Sequence, residues 1–272
     1  MTFESDGVRV DLRPVSSLLP HEETIPEQLN KIVGQIQRDG VQKDPVIVDR
    51  ESGTVLDGMH RLAAFSRLGL ENVVCCMVDY SSSGIELRRW ARVYRTTRDD
   101  LIARAMDELG ITKEVTLAEA FELLDSRRTG LAVLGRRACR VPEDRADLGE
   151  VFRTVKSLDE VGRTLGWQRT FAREDEVDVA LEDGANVLLV QRLTKQDVLN
   201  AARTRSLFPC KTSMHTIDPR PVALDFPIAD INGATPKTIA ELLKKRSPRL
   251  LPPNSEYEGR RYKERLLVLH QH

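Results

Sequence analysis

Val55-Leu56-Asp57-Gly58-Met59-His60-Arg61-Leu62-Ala63-Ala64-Phe65 is the stretch on which the reading of the fold turns. A short apolar strand runs into an amphipathic helix, and a carboxylate, a glycine, a histidine and an arginine stand at the joint. The first backbone N–H groups of a helix have no partner within it and point outward, so a helix start attracts anions. Gly58 allows a ligand to come close to the backbone. His60 and Arg61 add donors, and a guanidinium can grip a phosphate through two parallel hydrogen bonds. Asp57 by itself repels phosphate, which suggests a metal ion between the two. The joint reads as a nucleotide-phosphate site. An Asp-Gly pair also makes ordinary turns, and Asp57 could simply cap the helix. Neither the P-loop spacing nor the dinucleotide glycine pattern is present.

Outward from the joint, the chain continues the same alternation of elements. Residues 8–12 alternate as a strand, and Pro26 opens a helix with Leu29, Ile32, Val33 and Ile36 on one face and Gly40 at its end. Pro45 to Val48 is a buried strand, Thr54 to Leu56 a short one, and Asn72 to Tyr80 another. The stretch Ile85 to Tyr94 fits strand or helix. The first 95 residues therefore predict a compact α/β unit. Beyond it, helical patterns run over 97–109, 115–126 and 149–165, and strand-like pieces over 131–134, 177–181 and 187–190. Helices are expected again over 195–203 and 235–245, and a basic, tyrosine-containing tail closes the chain. The expected organisation is an α/β (α+β) protein of two domains, 1–95 binding nucleotide phosphate and 96–272 a second α/β domain completing the active-site cleft.

Composition narrows the class. Of 272 residues 40% are apolar and 31% charged, in the range of a soluble globular protein with a charged surface. Lys and Arg number 41 against 42 Asp and Glu, so no global basic field draws the chain to nucleic acid. No apolar run approaches a membrane span, and no secretory signal is visible. Cys75, Cys76, Cys139 and Cys210 have neither metal-ligand nor redox spacing, as expected of free thiols in a reducing cytoplasm.

Two further polar clusters join the first. His21-Glu22-Glu23-Thr24 precedes the Pro26 helix, and Lys211-Thr212-Ser213-Met214-His215 follows Phe208-Pro209-Cys210. In an extended segment Lys211, Ser213 and His215 face one way, a plausible second phosphate clamp. Together the three clusters supply what phosphoryl transfer requires: a base for the attacking hydroxyl, and cations or a metal to offset phosphate charge. Glu22 fits the base, Asp57 a magnesium ligand, and His60, Arg61, Lys211 and His215 the phosphates. Each cluster also has a plainer reading, as a helix cap, a turn or a surface loop.

These residues carry a resemblance. The first 95 positions resemble the ParB/sulfiredoxin-like fold, whose members bind nucleotide phosphate at a glycine-containing strand-to-helix joint. The ordered trio His21-Glu22, Asp57-Gly58-Met59-His60-Arg61 and Lys211-Thr212-Ser213-Met214-His215 resembles a narrower branch, the free L-serine kinases of the SerK and SbnI type. The middle of the chain, about residues 100–200, is matched only in size and general pattern. The resemblance implies a kinase that moves a phosphoryl group from ATP or ADP, with Mg²⁺, to the hydroxyl of L-serine or a similar small molecule. The family's catalytic glutamate and aspartate carry over to Glu22 and Asp57. Gly58, Met59, His60 and Arg61 fall at its nucleotide joint, and Lys211, Thr212, Ser213 and His215 at its late phosphate segment. Trp90 and Arg92 are the residues proposed to meet the amino-acid substrate. Met214 stands where the branch has arginine, which removes one positive charge.

Three other classes compete. A ParB-like nucleotide-binding or DNA-binding regulatory protein without kinase activity shares the fold, but has Gly-Glu-Arg-Arg where this chain has Gly58-Met59-His60-Arg61. Sulfiredoxin chemistry needs a cysteine where Met59 stands, and a thioether forms no thiolate. A nucleotide sensor would keep the joint and have no use for Glu22.

Overall fold

A computed structural model describes residues 3–5, 8–96, 99–135, 138–143 and 147–269. The chain divides into two compact units. The first comprises Met1–Glu86, Lys195–Cys210 and His215–His272; the second comprises Leu87–Thr194 and Lys211–Met214.

The first unit begins with β1 (Phe3–Ser5) and β2 (Val8–Pro14). Pro26 opens α1 (Pro26–Asp39), which buries Leu29 and Ile36 and ends at left-handed Gly40. After β3 (Val41–Gln42) come β4 (Val46–Asp49), buried along its whole length, and β5 (Val55–Asp57). Then follow α2 (Met59–Arg67), burying Leu62, Ala64 and Phe65, and β6 (Asn72–Val78). The sheet order is β1-β2-β6-β4-β5, with β4 parallel to β6 and every other pair antiparallel. Cys75 and Cys76 are both fully buried in β6 as free thiols.

The second unit is built on β7 (Ile85–Arg95), α3 (Asp99–Glu108), β8 (Lys113–Val115), α4 (Leu117–Asp125), β9 (Leu131–Leu134) and β10 (Cys139–Val141). It continues through α5 (Leu148–Thr164), β11 (Gln168–Arg173), α6 (Val177–Glu182) and β12 (Asn186–Val190). Its sheet runs β11-β7-β12-β9-β10-β8 through antiparallel pairs. Reciprocal side-chain caps start α4 (Thr116 with Glu119) and α5 (Asp147 with Glu150). Ile85–Tyr94, undecided from sequence, is strand. The strand expected over 177–181 is instead α6. Val177 and Ala180 are buried while Val179 is 61% exposed, which is the helical period. The start of the helical pattern at 97–98 lies outside the described residues.

The remaining elements are α7 (Lys195–Thr204), β13 (Ser213–Ile217), β14 (Arg220–Val222), β15 (Phe226–Pro227), α8 (Ile228–Ile231), α9 (Pro236–Lys244) and β16 (Arg249–Leu251), then β17 (Glu256–Tyr257), β18 (Arg260–Arg261) and β19 (Leu266–Val268). Most of them return to the first unit. Phe226, Ile239, Leu243, Leu267 and Leu269 share one core with Val10, Val46, Phe65 and Val74. The observed division therefore differs from the single cut expected near residue 95, because the apolar faces of the last third pack where the first 86 residues leave a face to cover. Among the described residues no helix is long and apolar enough to cross a membrane.

Candidate active site

The joint takes the form anticipated from its glycine. Gly58 precedes α2 with φ +97°, a conformation that side chains rarely adopt. A Cβ there would stand 2.8 Å from an Arg61 guanidinium nitrogen and 3.3 Å from the Val46 Cα. The Gly58 N–H donates to Asp57 Oδ1 at 3.0 Å, and no side chain caps the helix. The plain capping reading of Asp57 thus gives way to a carboxylate folded onto the joint's own amide.

His60 and Arg61 are held from behind. The Ile25 N–H donates to His60 Nε2 at 2.8 Å, tying α2 to the start of α1. Arg61 donates to the Pro45 carbonyl at 2.5 Å and lies 3.7 Å from Asp44. Both side chains brace the helix start against its neighbours.

Glu22 is 6% exposed and fixed by a segment nearly two hundred residues further on. It bridges Phe208 in parallel register; the Phe208 N–H donates to the His21 carbonyl and the Glu23 N–H to the Phe208 carbonyl, both at 2.9 Å. Glu22 and Met59 line one cleft of about 860 Å³ in the first unit, with Thr24, Leu62, Ser66 and Leu207 among its walls. A buried carboxylate and the first residue of α2 therefore face a single hollow of ligand size.

Behind this cleft lies a histidine pair. His21 Nδ1–H donates to the Val55 carbonyl at 2.7 Å, and its Nε2 stands 3.9 Å from Glu22 Oε1. The His21 and His215 rings meet edge to face at 5.5 Å, and His215 Nε2 shares a 2.8 Å hydrogen bond with the Tyr80 hydroxyl. Burial pushes His21 below the ordinary histidine value despite the pull of Glu22. Burial, reinforced by the neighbouring His21, pushes His215 well below it. Burial raises the Tyr80 phenol. Both imidazoles are neutral at pH 7.

Arg220 closes the group. Its nitrogens reach Glu264 Oε1 at 2.6 Å, Asp57 Oδ2 at 2.8 Å and the His215 carbonyl at 2.6 Å. Burial alone would lower its pKa, but Asp57 and Glu264 outweigh that and hold it raised. The two Asp57 oxygens thus face the Gly58 amide and a guanidinium. Among the described residues no group of three or more His, Cys, Asp or Glu side chains is placed to hold a metal. This donor set forms no all-protein cage for a magnesium ion; an ion carried by nucleotide phosphates needs only one or two carboxylates, and half-exposed Asp57 is the one at the joint.

In the second unit Trp90 and Lys211 come together, the ammonium 4.6 Å from the indole centroid. Lys211 takes a left-handed backbone, φ +56°, and Arg92 donates to its carbonyl at 3.4 Å. Arg92 is 1% exposed and pairs with Asp159, which also receives the Tyr94 hydroxyl at 2.6 Å and Arg169 at 2.7 Å. Thr212 and Ser213 are buried.

Glu22, Asp57, Gly58, Met59, His60, Arg61 and His215 therefore gather in the first unit. Trp90, Arg92, Lys211, Thr212 and Ser213 belong to the second. Sequence reasoning did not single out Arg220, Glu264, Tyr80 or Asp159. Arg220 stands between two prolines in Asp218-Pro219-Arg220-Pro221, with no spacing relation to Asp57, and only the packing of β14 reveals it.

The comparisons with known proteins agree with this architecture. No protein-family model matches the chain. It is 26% identical to an ATP-dependent L-serine kinase of Desulfurococcus mucosus, over 75% of this chain and 83% of that protein. It is 19% identical to the ADP-dependent L-serine kinase SerK of Thermococcus kodakarensis, over 85% and 95%. This chain is a distant homologue of the free serine kinases. A shorter likeness, 38% identity over 76 residues, ties it to a ParB-like protein of Sulfolobus acidocaldarius, 28% of this chain and 38% of that protein. Among solved structures, a free serine kinase in complex with AMP matches with a TM-score of 0.69 at 19% identity, covering 84% of this chain and 96% of that one. A C-terminally truncated SbnI from Staphylococcus aureus matches with a TM-score of 0.68 at 15% identity, over 87% and 94%. The mixed α/β fold is thus the fold of that family.

Proposed function

We propose that this chain is a phosphotransferase that moves a phosphoryl group from ATP or ADP to the hydroxyl of a small free amino acid, L-serine first among them, giving O-phosphoserine. One observation carries the reading: Glu22 and Met59, the first residue of α2, line the same cleft. A base for a hydroxyl and an anion-attracting helix start are the two parts that phosphoryl transfer to an alcohol needs side by side. The distant L-serine kinase relatives supply the substrate class.

In this reading Glu22 accepts the proton of the attacking hydroxyl. The amides of the first turn of α2, from Met59 onward, receive the nucleotide phosphates. Asp57 organises the joint by holding the Gly58 amide, while His60 and Arg61 brace the helix from behind. Magnesium belongs to the nucleotide complex, where the phosphates and water supply its ligands. Lys211, presented on Trp90, is assigned to the transferred phosphoryl group with Thr212 and Ser213. Arg92 acts through the Lys211 carbonyl. His215 is a neutral packing partner of His21 and Tyr80 rather than a cation.

The test is direct. Purified protein with Mg²⁺ and L-serine is supplied with ATP or with ADP, and phosphoserine is measured. Formation of phosphoserine with at least one donor is expected; none with either donor, in folded protein that binds nucleotide, refutes the reading.

A further inference from the structure

The sequence poses an electrostatic puzzle at the joint. A phosphate approaching the open amides at the start of α2 meets the neighbouring Asp57 carboxylate, and like charges a few ångströms apart repel strongly in a partly buried site. A bound metal is one way to offset that charge. The structure contains another. Arg220 lies 2.8 Å from Asp57 Oδ2 and is itself 8% exposed, so the guanidinium end of the pair is shielded from solvent. The guanidinium cannot turn away freely, because Glu264 holds its Nε at 2.6 Å and the His215 carbonyl holds its third nitrogen at 2.6 Å. Asp57, by contrast, is half exposed, with its other oxygen on the Gly58 amide. A fixed buried cation thus sits beneath a carboxylate that lies at the anion-attracting end of α2.

We infer that Arg220, held in place by Glu264, is the positioning residue that neutralises Asp57 and so lets the Gly58 joint accept a nucleotide phosphate without a resident metal. Asp57 keeps its structural task of orienting the Gly58 peptide, and Arg220 removes the electrostatic cost of having it there. Glu264, in the tail between β18 and β19, becomes part of the phosphate site through Arg220. The inference rests on the nucleotide-phosphate reading of the joint and extends it to two residues outside every motif noted in the sequence.

Affinity of the full chain for ADP, measured by titration calorimetry in magnesium-free buffer, tests it. Wild-type protein is expected to bind. Arg220→Met should bind at least about tenfold more weakly, since it leaves an uncompensated carboxylate beside the phosphate. Adding Asp57→Asn to Arg220→Met should restore affinity to within about threefold of wild type, because the charge that Arg220 balanced is gone. A merely structural arginine would give no such recovery. Arg220→Gln, which keeps hydrogen-bonding groups and removes only the charge, should lose affinity to a similar degree, with the same recovery on adding Asp57→Asn. If Arg220→Met does not fold, the Arg220→Gln pair carries the test. Undiminished affinity in Arg220→Met, no recovery in the double variants, or wild-type binding only when magnesium is added would overturn the inference. A wild-type chain that binds ADP under neither condition would refute the nucleotide site itself.

Discussion

Single atoms decide much at the joint. The left-handed Gly58 has no room for a Cβ between Arg61 and Val46, so Gly58→Ala should destabilise the protein by about 2 kcal/mol and lower its melting temperature. Glu22→Gln keeps size and burial and removes only the proposed base. Its kcat should fall by about 10²–10⁴ with the melting temperature unchanged. Full turnover in Glu22→Gln would assign the proton to another group. The neutral histidines have a pH signature. The folded pKa values of His21 and His215 lie below the ordinary value that the unfolded chain shows. As pH falls below about 6.5 the unfolded state takes up protons that the folded state refuses. The stability present at neutral pH is therefore lost progressively towards acid. Imidazole NMR resonances of both residues should titrate below the ordinary histidine value, and resonances that titrate at 6.5 or above would contradict the burial argument.

At the scale of elements, apolar period was a dependable guide and its failures have causes. The α1 and α2 faces, the buried β4 and the Cys75-Cys76 strand all follow from spacing and from proline or glycine at their ends. The 177–181 segment misled because Val177, Val179 and Leu181 alternate like a strand, while Val179 in fact points to solvent from α6. β7 resisted assignment because Arg89 and Arg92 occupy buried positions and break its apolar pattern. Burial of Arg92 is sustained by Asp159 of α5, which gathers Arg92, Arg169 and the Tyr94 hydroxyl. Removing one member of such a buried group leaves charge uncompensated. Asp159→Ala should cost about 3 kcal/mol in urea unfolding, whereas a loss under about 1 kcal/mol would mean that the cluster adds little to the second unit.

Across the whole molecule, a sequence shows patterns along the chain and conceals what folding brings back. The alternation over the first 86 residues was legible, and so were the three polar clusters. The return of α9 and β19 to the first core was not, because nothing in their own spacing names Val10 or Phe65 as partners. For the same reason Glu22 could be suspected, yet its clamp on Phe208 could not, and Arg220 and Glu264 carried no signal at all. Residues that act by local spacing can be read from sequence, and residues that act by long-range pairing need coordinates. The distant likeness to L-serine kinases and the shared cleft of Glu22 and α2 meet in one central claim, that this chain transfers phosphate to a small hydroxyl compound. Incubation of the full chain with L-serine, Mg²⁺ and γ-labelled ATP or β-labelled ADP tests it most directly. Labelled O-phosphoserine from wild type, and a loss of at least about a hundredfold with Glu22→Gln, is the predicted result. Nucleotide binding without any labelled phosphoserine from either donor would contradict it.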